Sequence, residues 1–135
     1  ASNDRPLAEF QIAVVEDNAD AADMLAVILR DAGAQVRQAS DYDSALRLFE
    51  ASWPDVLVSD IGLPGRDGYE LIATLRAMEN AGNPLAAIAL TAFSRPEDRA
   101  RALASGFDAH LAKPFQPHAL VTTIHSVLPR EAGKG

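Results

Sequence analysis

Five short apolar runs alternate with five amphipathic stretches of helical period, and this alternation restricts the fold more tightly than any other feature of the chain. The runs are Gln11–Val15, Gln35–Ala39, Val56–Asp60, Leu85–Leu90 and Ala109–Ala112. Strands joined through a helix cannot pair as a hairpin; they need a crossover, and crossovers join parallel strands with a right-handed sense. The expected architecture is α/β, a single open parallel sheet of five strands with helices on both faces. Gln35–Ala39 is half polar, which places it at an edge of that sheet.

The helices follow from apolar spacing and stop signals. In the first, from about Ala19 to Ala32, Ala21, Leu25, Ile28 and Ala32 form one stripe with Met24 beside it, and Gly33 ends the helix in a left-handed conformation. Asp41 opens the second, where Ala45, Leu48, Phe49 and Ser52 share a side, and Trp53-Pro54 closes it. Leu71, Ile72, Leu75 and Met78 mark the third, closed by Gly82-Asn83-Pro84. Ser94-Arg95-Pro96-Glu97 reads as a capping box that starts the fourth, whose Arg- and Ala-rich body to Ser105 has little apolar surface and is expected to pack least firmly. Gly106 ends it, and Leu120, Val121, Ile124, Val127 and Leu128 define the fifth.

The chemistry lies where the strands end. Parallel strands deliver their C-terminal residues to one rim, and ligands of such sheets bind outside that rim, where strand order reverses. Glu16-Asp17, Asp60, Thr91 and Lys113 each follow a different strand, so all are expected to crowd that rim. Adjacent carboxylates repel unless a cation stands opposite. Three carboxylates, a hydroxyl and an ammonium suit a hard divalent cation such as Mg²⁺. The same groups suit a phosphoryl group, whose oxygens a metal and an ammonium neutralise while a carboxylate attacks phosphorus. Asp60 is the foremost candidate, because four turn formers follow it within eight residues and leave it at a sharp strand-to-loop corner.

Composition narrows the alternatives. A chain of 135 residues is the size of one ordinary domain, and without cysteine it has neither disulfides nor thiol chemistry. Twelve basic against 19 acidic residues leave a net charge of -7, which repels phosphate backbones and argues against direct nucleic-acid binding. No apolar run reaches membrane-spanning length and no secretory signal is legible, so a soluble, cytoplasmic protein is expected. The expected organisation is a leader or linker over residues 1–9, one domain over 10–128 and a frayed tail over 129–135. The missing initial Met suggests a segment of something longer.

From about Phe10 to Leu128 the sequence resembles the receiver (response-regulator) domain of bacterial two-component signalling. The resemblance rests on Glu16-Asp17 after the first strand, Asp60 with Leu63-Pro64 and Asp67-Gly68 after the third, Thr91-Ala92 after the fourth, and Lys113-Pro114-Phe115 after the fifth. It implies a flavodoxin-like, doubly wound five-stranded parallel sheet of order 2-1-3-4-5 with five helices. It also implies that Asp60 accepts a phosphoryl group from a phosphohistidine on a histidine kinase or histidine phosphotransfer protein. Asp17, Asp60 and the Gly62 carbonyl would bind Mg²⁺, with Glu16 reaching it through water. Thr91, Lys113 and the backbone amides near Ile61 and Ala92 would contact the phosphoryl oxygens, and the Lys113-Pro114 peptide is expected to be cis. Thr91 and an aromatic residue on the fifth strand would then switch together, repacking the face made by the fourth helix, fifth strand and fifth helix for a downstream protein.

The sequence departs from the family at His110, where Tyr or Phe is usual. Its imidazole is smaller, polar and titratable near neutrality, so the switch is expected to be weakened or pH-sensitive. Glu16 stands where Asp is commoner, and Gly62 and Phe93 flank the acceptor, where side chains steer the hydrolytic water. The phrases around Asp60 and Lys113 most resemble receivers of hybrid histidine kinases.

The module is expected to catalyse only its own phosphorylation and dephosphorylation and to be no enzyme in the ordinary sense. An aspartyl-phosphate phosphatase of the haloacid dehalogenase type would carry a second Asp where Gly62 stands. A phosphorylation-independent scaffold is the other alternative, against which the intact acidic site argues. Asp67 reads as the N-cap of the third helix. Phe49, Phe107 and Phe115 read as packing, and His118, His125 and the helical Arg and Glu residues as solvated.

Overall fold

The computed structural model describes residues 5–92 and 95–128. Its elements run β1 (Gln11–Val15), α1 (Ala19–Asp31), β2 (Gln35–Ala39), α2 (Tyr42–Ala51), β3 (Val56–Asp60), α3 (Gly68–Met78), β4 (Ala86–Thr91), α4 (Pro96–Ser105), β5 (Ala109–Ala112) and α5 (Pro117–Val127). All strand pairs are parallel and the order is β2-β1-β3-β4-β5, the flavodoxin-like arrangement. The half-polar β2 takes an edge, as expected.

Strand periodicity divides the core into two layers. Ile12, Val14, Val56, Val58, Ile88 and Leu90 face α1 and α5. Ala13, Val15, Leu57, Ala87 and Ala89 face α2, α3 and α4. Because β1, β3 and β4 are covered on both faces, they are almost continuously apolar.

Side-chain facing differs from the sequence reading at several points. The buried arc of α1 is Ala22, Leu25, Ala26 and Leu29, with Ala21 and Ile28 at its margin and Met24 66% exposed. The arc and the expected stripe share the helical period, and the alanines present a low surface that lets the helix lie close to the sheet. In α2, Tyr42 is buried, whereas Ser52 is the extended C-cap and faces solvent. Met78 is exposed because α3 ends there, with Glu79 already extended.

The helix ends are held by local chemistry. Gly33 has φ +104°, and a Cβ there would approach the Ala8 backbone to 3.1 Å. Asp41 and Asp67 cap α2 and α3 through reciprocal capping boxes. Ser94, the expected cap of α4, lies outside the described residues, as does Phe93; the helix begins at Pro96 with Arg95 as N-cap and no side-chain cap. Only Ala102 of α4 is buried. Leu7, within the expected leader, is fully buried, and its amide donates to the Ala32 carbonyl at 2.8 Å. Packing therefore begins before Phe10. Residues 1–4 and 129–135, covering part of the expected leader and the whole expected tail, lie outside the described residues.

Candidate functional site

Four strand ends build the site. β1 runs directly into Glu16 and Asp17; the Glu16 amide donates to the Ala39 carbonyl of β2 at 3.0 Å, which continues the ladder and turns the side chain inward. Glu16 is buried, with 3% of its side chain exposed, while Asp17 is exposed. β3 ends in Asp60 and β4 in the buried Thr91. Beyond β5, the Lys113 amide donates to the Thr91 carbonyl at 2.7 Å, which aims the lysine along the rim. The Lys113–Pro114 peptide is cis.

The Lys113 ammonium donates to Glu16 Oε1 and Asp60 Oδ2, both at 3.2 Å. It is the counter-charge that adjacent carboxylates require. Glu16 Oε2 also accepts the Asn18 amide at 3.1 Å. Burial pushes the Glu16 carboxyl above its usual range; the Asn18 amide pulls the other way, Asp60 pushes up again and Lys113 opposes. For Lys113, burial works against the charge, but Asp60 and Glu16 more than offset it, so the ammonium is held above the ordinary lysine value. One ligand oxygen from each of Glu16, Asp17 and Asp60 lies within 4.8 Å of the others. A set of hard oxygen donors this close fits a divalent cation of the Mg²⁺ kind.

The loop after β3 is held tightly beneath the acceptor. The Gly68 amide donates to the Ile61 carbonyl at 2.8 Å, and a Cβ on Gly68 would lie 2.6 Å from the Asp60 carbonyl oxygen, so only glycine fits at the start of α3. Leu63 anchors the loop in the core, and Gly65 turns it at φ +72°. One expectation needs correction. The Ile61 amide, expected at the phosphoryl oxygens, donates instead to the Leu90 carbonyl at 3.0 Å; the amide that faces Asp60 is that of Gly62, 3.3 Å from Oδ1. Beside Gly62, nothing would crowd a Cβ, so the acceptor is open on that side.

A cleft of about 490 Å³ opens over Asp60, with Thr91, Ala92 and Lys113 on the sheet side and Tyr69, Arg95 and Arg101 from the neighbouring helices. Arg101 falls among the helical arginines expected to be solvated, Arg95 is expected only as part of the α4 capping box, and Tyr69 carries no expectation from the sequence. Their clue was position, since Tyr69 follows Gly68 directly and Arg95 and Arg101 flank the start and middle of the helix after Thr91. Arg76, also read as solvated, is half-buried and bonds Glu79, Asp108 and the Leu85 and Gly106 carbonyls.

His110 lies across from Ala89 on β4, and its Nε2 is enclosed without a hydrogen-bond partner. It lines a groove of about 440 Å³ with Arg99 and Leu103 of α4. His118 and His125 are exposed on α5, as expected. Among the described residues, no helix is long and apolar enough to cross a membrane.

Comparison with known proteins gives the same answer. Residues 12–125 match the response regulator receiver domain family. The phosphate regulon transcriptional regulatory protein PhoB of Escherichia coli is 38% identical over 120 residues, 89% of this chain; the chain spans about half of that relative, 52% of its length. The chemotaxis response regulator CheY4 of Vibrio cholerae superposes with a TM-score of 0.81 at 29% identity, covering 88% of this chain and 98% of that one. A chain in the co-crystal structure of the Saccharomyces cerevisiae histidine phosphotransfer protein Ypd1 with the receiver domain of its downstream response regulator Ssk1 gives 0.82 at 25% identity, covering 93% and 92%. A sheet of this order, an acidic rim bridged by one lysine and a family match across most of the chain lead to one conclusion: this chain belongs to the response-regulator receiver domains of two-component signalling.

Proposed function

We propose that Asp60 accepts a phosphoryl group from a phosphohistidine on a histidine kinase or histidine phosphotransfer protein, in a Mg²⁺-dependent transfer that switches a protein-interaction face. The observation that carries this reading is the Lys113 ammonium held 3.2 Å from both Asp60 and Glu16. Glu16, Asp17 and Asp60, joined by the Gly62 carbonyl, would hold the Mg²⁺, which when bound neutralises phosphoryl oxygens. A carboxylate oxygen of Asp60 attacks phosphorus as the phosphorus–nitrogen bond to the donor imidazole breaks. Lys113, Thr91 and the amides of Gly62 and Ala92 take up the charge on the transferred group.

The domain acts as a catalyst only on itself, in its own phosphorylation and hydrolysis. Thr91 and His110 are the switch pair, and α4, β5 and α5 form the output face, supported by the sparse burial of α4 and the unpartnered His110 Nε2 beside it. The partner class is supported by the likeness to a chain in the Ypd1–Ssk1 receiver co-crystal. The lack of a membrane-spanning helix among the described residues and the acidic charge fit a cytoplasmic protein that does not bind nucleic acid directly.

Wild type and Asp60→Asn incubated with Mg²⁺ and acetyl phosphate test the assignment by intact mass. Wild type should gain one phosphoryl group that alkali removes, and the variant none. Equal behaviour of the two proteins would favour a phosphorylation-independent scaffold.

A further inference from the structure

The cleft over Asp60 carries a cation that the reaction so far leaves unused. The Arg101 guanidinium lies 4.0 Å from the centre of the Tyr69 ring, over its face. Tyr69 follows Gly68, whose amide is bonded to Ile61 beside the acceptor, so the ring is tied to the acceptor loop and in turn holds the guanidinium at the cleft. The other cations are engaged: Lys113 by Glu16 and Asp60, and Arg95 by Glu97 and Asp98. Among the described residues, Arg101 forms no ion pair. It therefore presents charge to whatever enters beside three carboxylates.

We propose that Arg101 is a donor-selecting residue, favouring small phosphoryl donors whose leaving group departs as an anion. The inference rests on the assignment of Asp60 as acceptor. With an acyl phosphate, a carboxylate oxygen of Asp60 forms the new bond to phosphorus as the bond from phosphorus to the acyl oxygen breaks. The electron pair leaves with that oxygen, giving a free carboxylate and an aspartyl phosphate with no proton required. A guanidinium at the cleft attracts the anionic donor and stabilises the departing carboxylate. With phosphoramidate the phosphorus–nitrogen bond breaks, nitrogen takes a proton from solvent and ammonia leaves, so the same cation gains nothing from the leaving group.

The test compares Asp60 phosphorylation rates in wild type, Arg101→Gln and Arg101→Lys with acetyl phosphate and with phosphoramidate, at fixed Mg²⁺ and ionic strength across a range of donor concentrations. In Arg101→Gln the ratio of acetyl phosphate to phosphoramidate rate constants should fall roughly threefold to fivefold, the size of one exposed charge contact. Arg101→Lys should restore part of it, and added salt should shrink the wild-type ratio. An unchanged ratio, including equal slowing with both donors as from a displaced α4, would overturn this inference alone. No uptake by wild type from either donor would overturn the Asp60 assignment together with it.

Discussion

Two residues of the site show how far a neighbour can set a side chain's chemistry. Glu16 is a buried carboxyl beside another carboxylate, and Lys113 offsets only part of that cost. Its folded-state proton affinity lies above the ordinary value of 4.5, so the folded protein binds this proton more tightly than the unfolded chain. The associated stability is fully present below 4.5 and is lost as pH rises through the folded value. Urea denaturation of wild type and Glu16→Gln over a pH series should show the wild-type advantage shrinking above 4.5 and then levelling; an advantage that grows there would contradict the burial argument. Gly68 is the second case. A methyl group 2.6 Å from the Asp60 carbonyl oxygen meets backbone, which cannot rotate away. Gly68→Ala should therefore lower stability by about 1–3 kcal/mol in denaturant titrations, as overpacking does. The acidic pair, Asp60 and Lys113 were legible because they end strands; the need for glycine at 68 was not, since it depends on how closely α3 approaches β3.

At the scale of elements, α4 differs from the other helices. Half of its sequence is Arg and Ala and it buries only Ala102, and like α5 it has no side-chain cap at its N-terminus. Amides of α4 should accordingly show the least protection of the five helices in hydrogen exchange, measured residue by residue. Equal protection across all five would remove the argument that α4 is the readily moved element. Polar tethers take the place of apolar packing at the far end of the helix. Arg76 reaches from α3 to the Gly106 carbonyl at 2.9 Å and to Asp108 at 2.9 Å, and also holds Glu79. Removing it leaves two carboxylates without their guanidinium, so Arg76→Ala should cost about 1–3 kcal/mol by chemical denaturation. The poverty of α4 was legible from composition alone. The Arg76 clamp was not, because the partners that tie α3 to the end of α4, Gly106 and Asp108, are distant in sequence.

For the molecule as a whole, the proposed site couples ligand binding to stability, since a cation held at the ends of β1 and β3, or a phosphoryl mimic held at the ends of β3, β4 and β5, binds the folded chain and not the unfolded one. Mg²⁺ with beryllofluoride should raise the unfolding midpoint of wild type, by the equivalent of about 2.7 kcal/mol at a hundredfold excess over the dissociation constant. Asp60→Asn should show little of that shift in the same thermal scan, and equal shifts would place the ligand elsewhere. Legible along the chain were the alternation of strands and helices, the parallel sheet and the rim to which Glu16, Asp17, Asp60, Thr91 and Lys113 are delivered. Those follow from periodicity and from the geometry of crossovers, which are local properties repeated along the chain. It took the packed chain to settle which arc of α1 is buried, that Leu7 belongs to the core, that the Ile61 amide is taken by Leu90, and that Arg101 stacks on Tyr69 at the cleft. Each depends on the distance between segments far apart in sequence, and residue period carries no information about that distance.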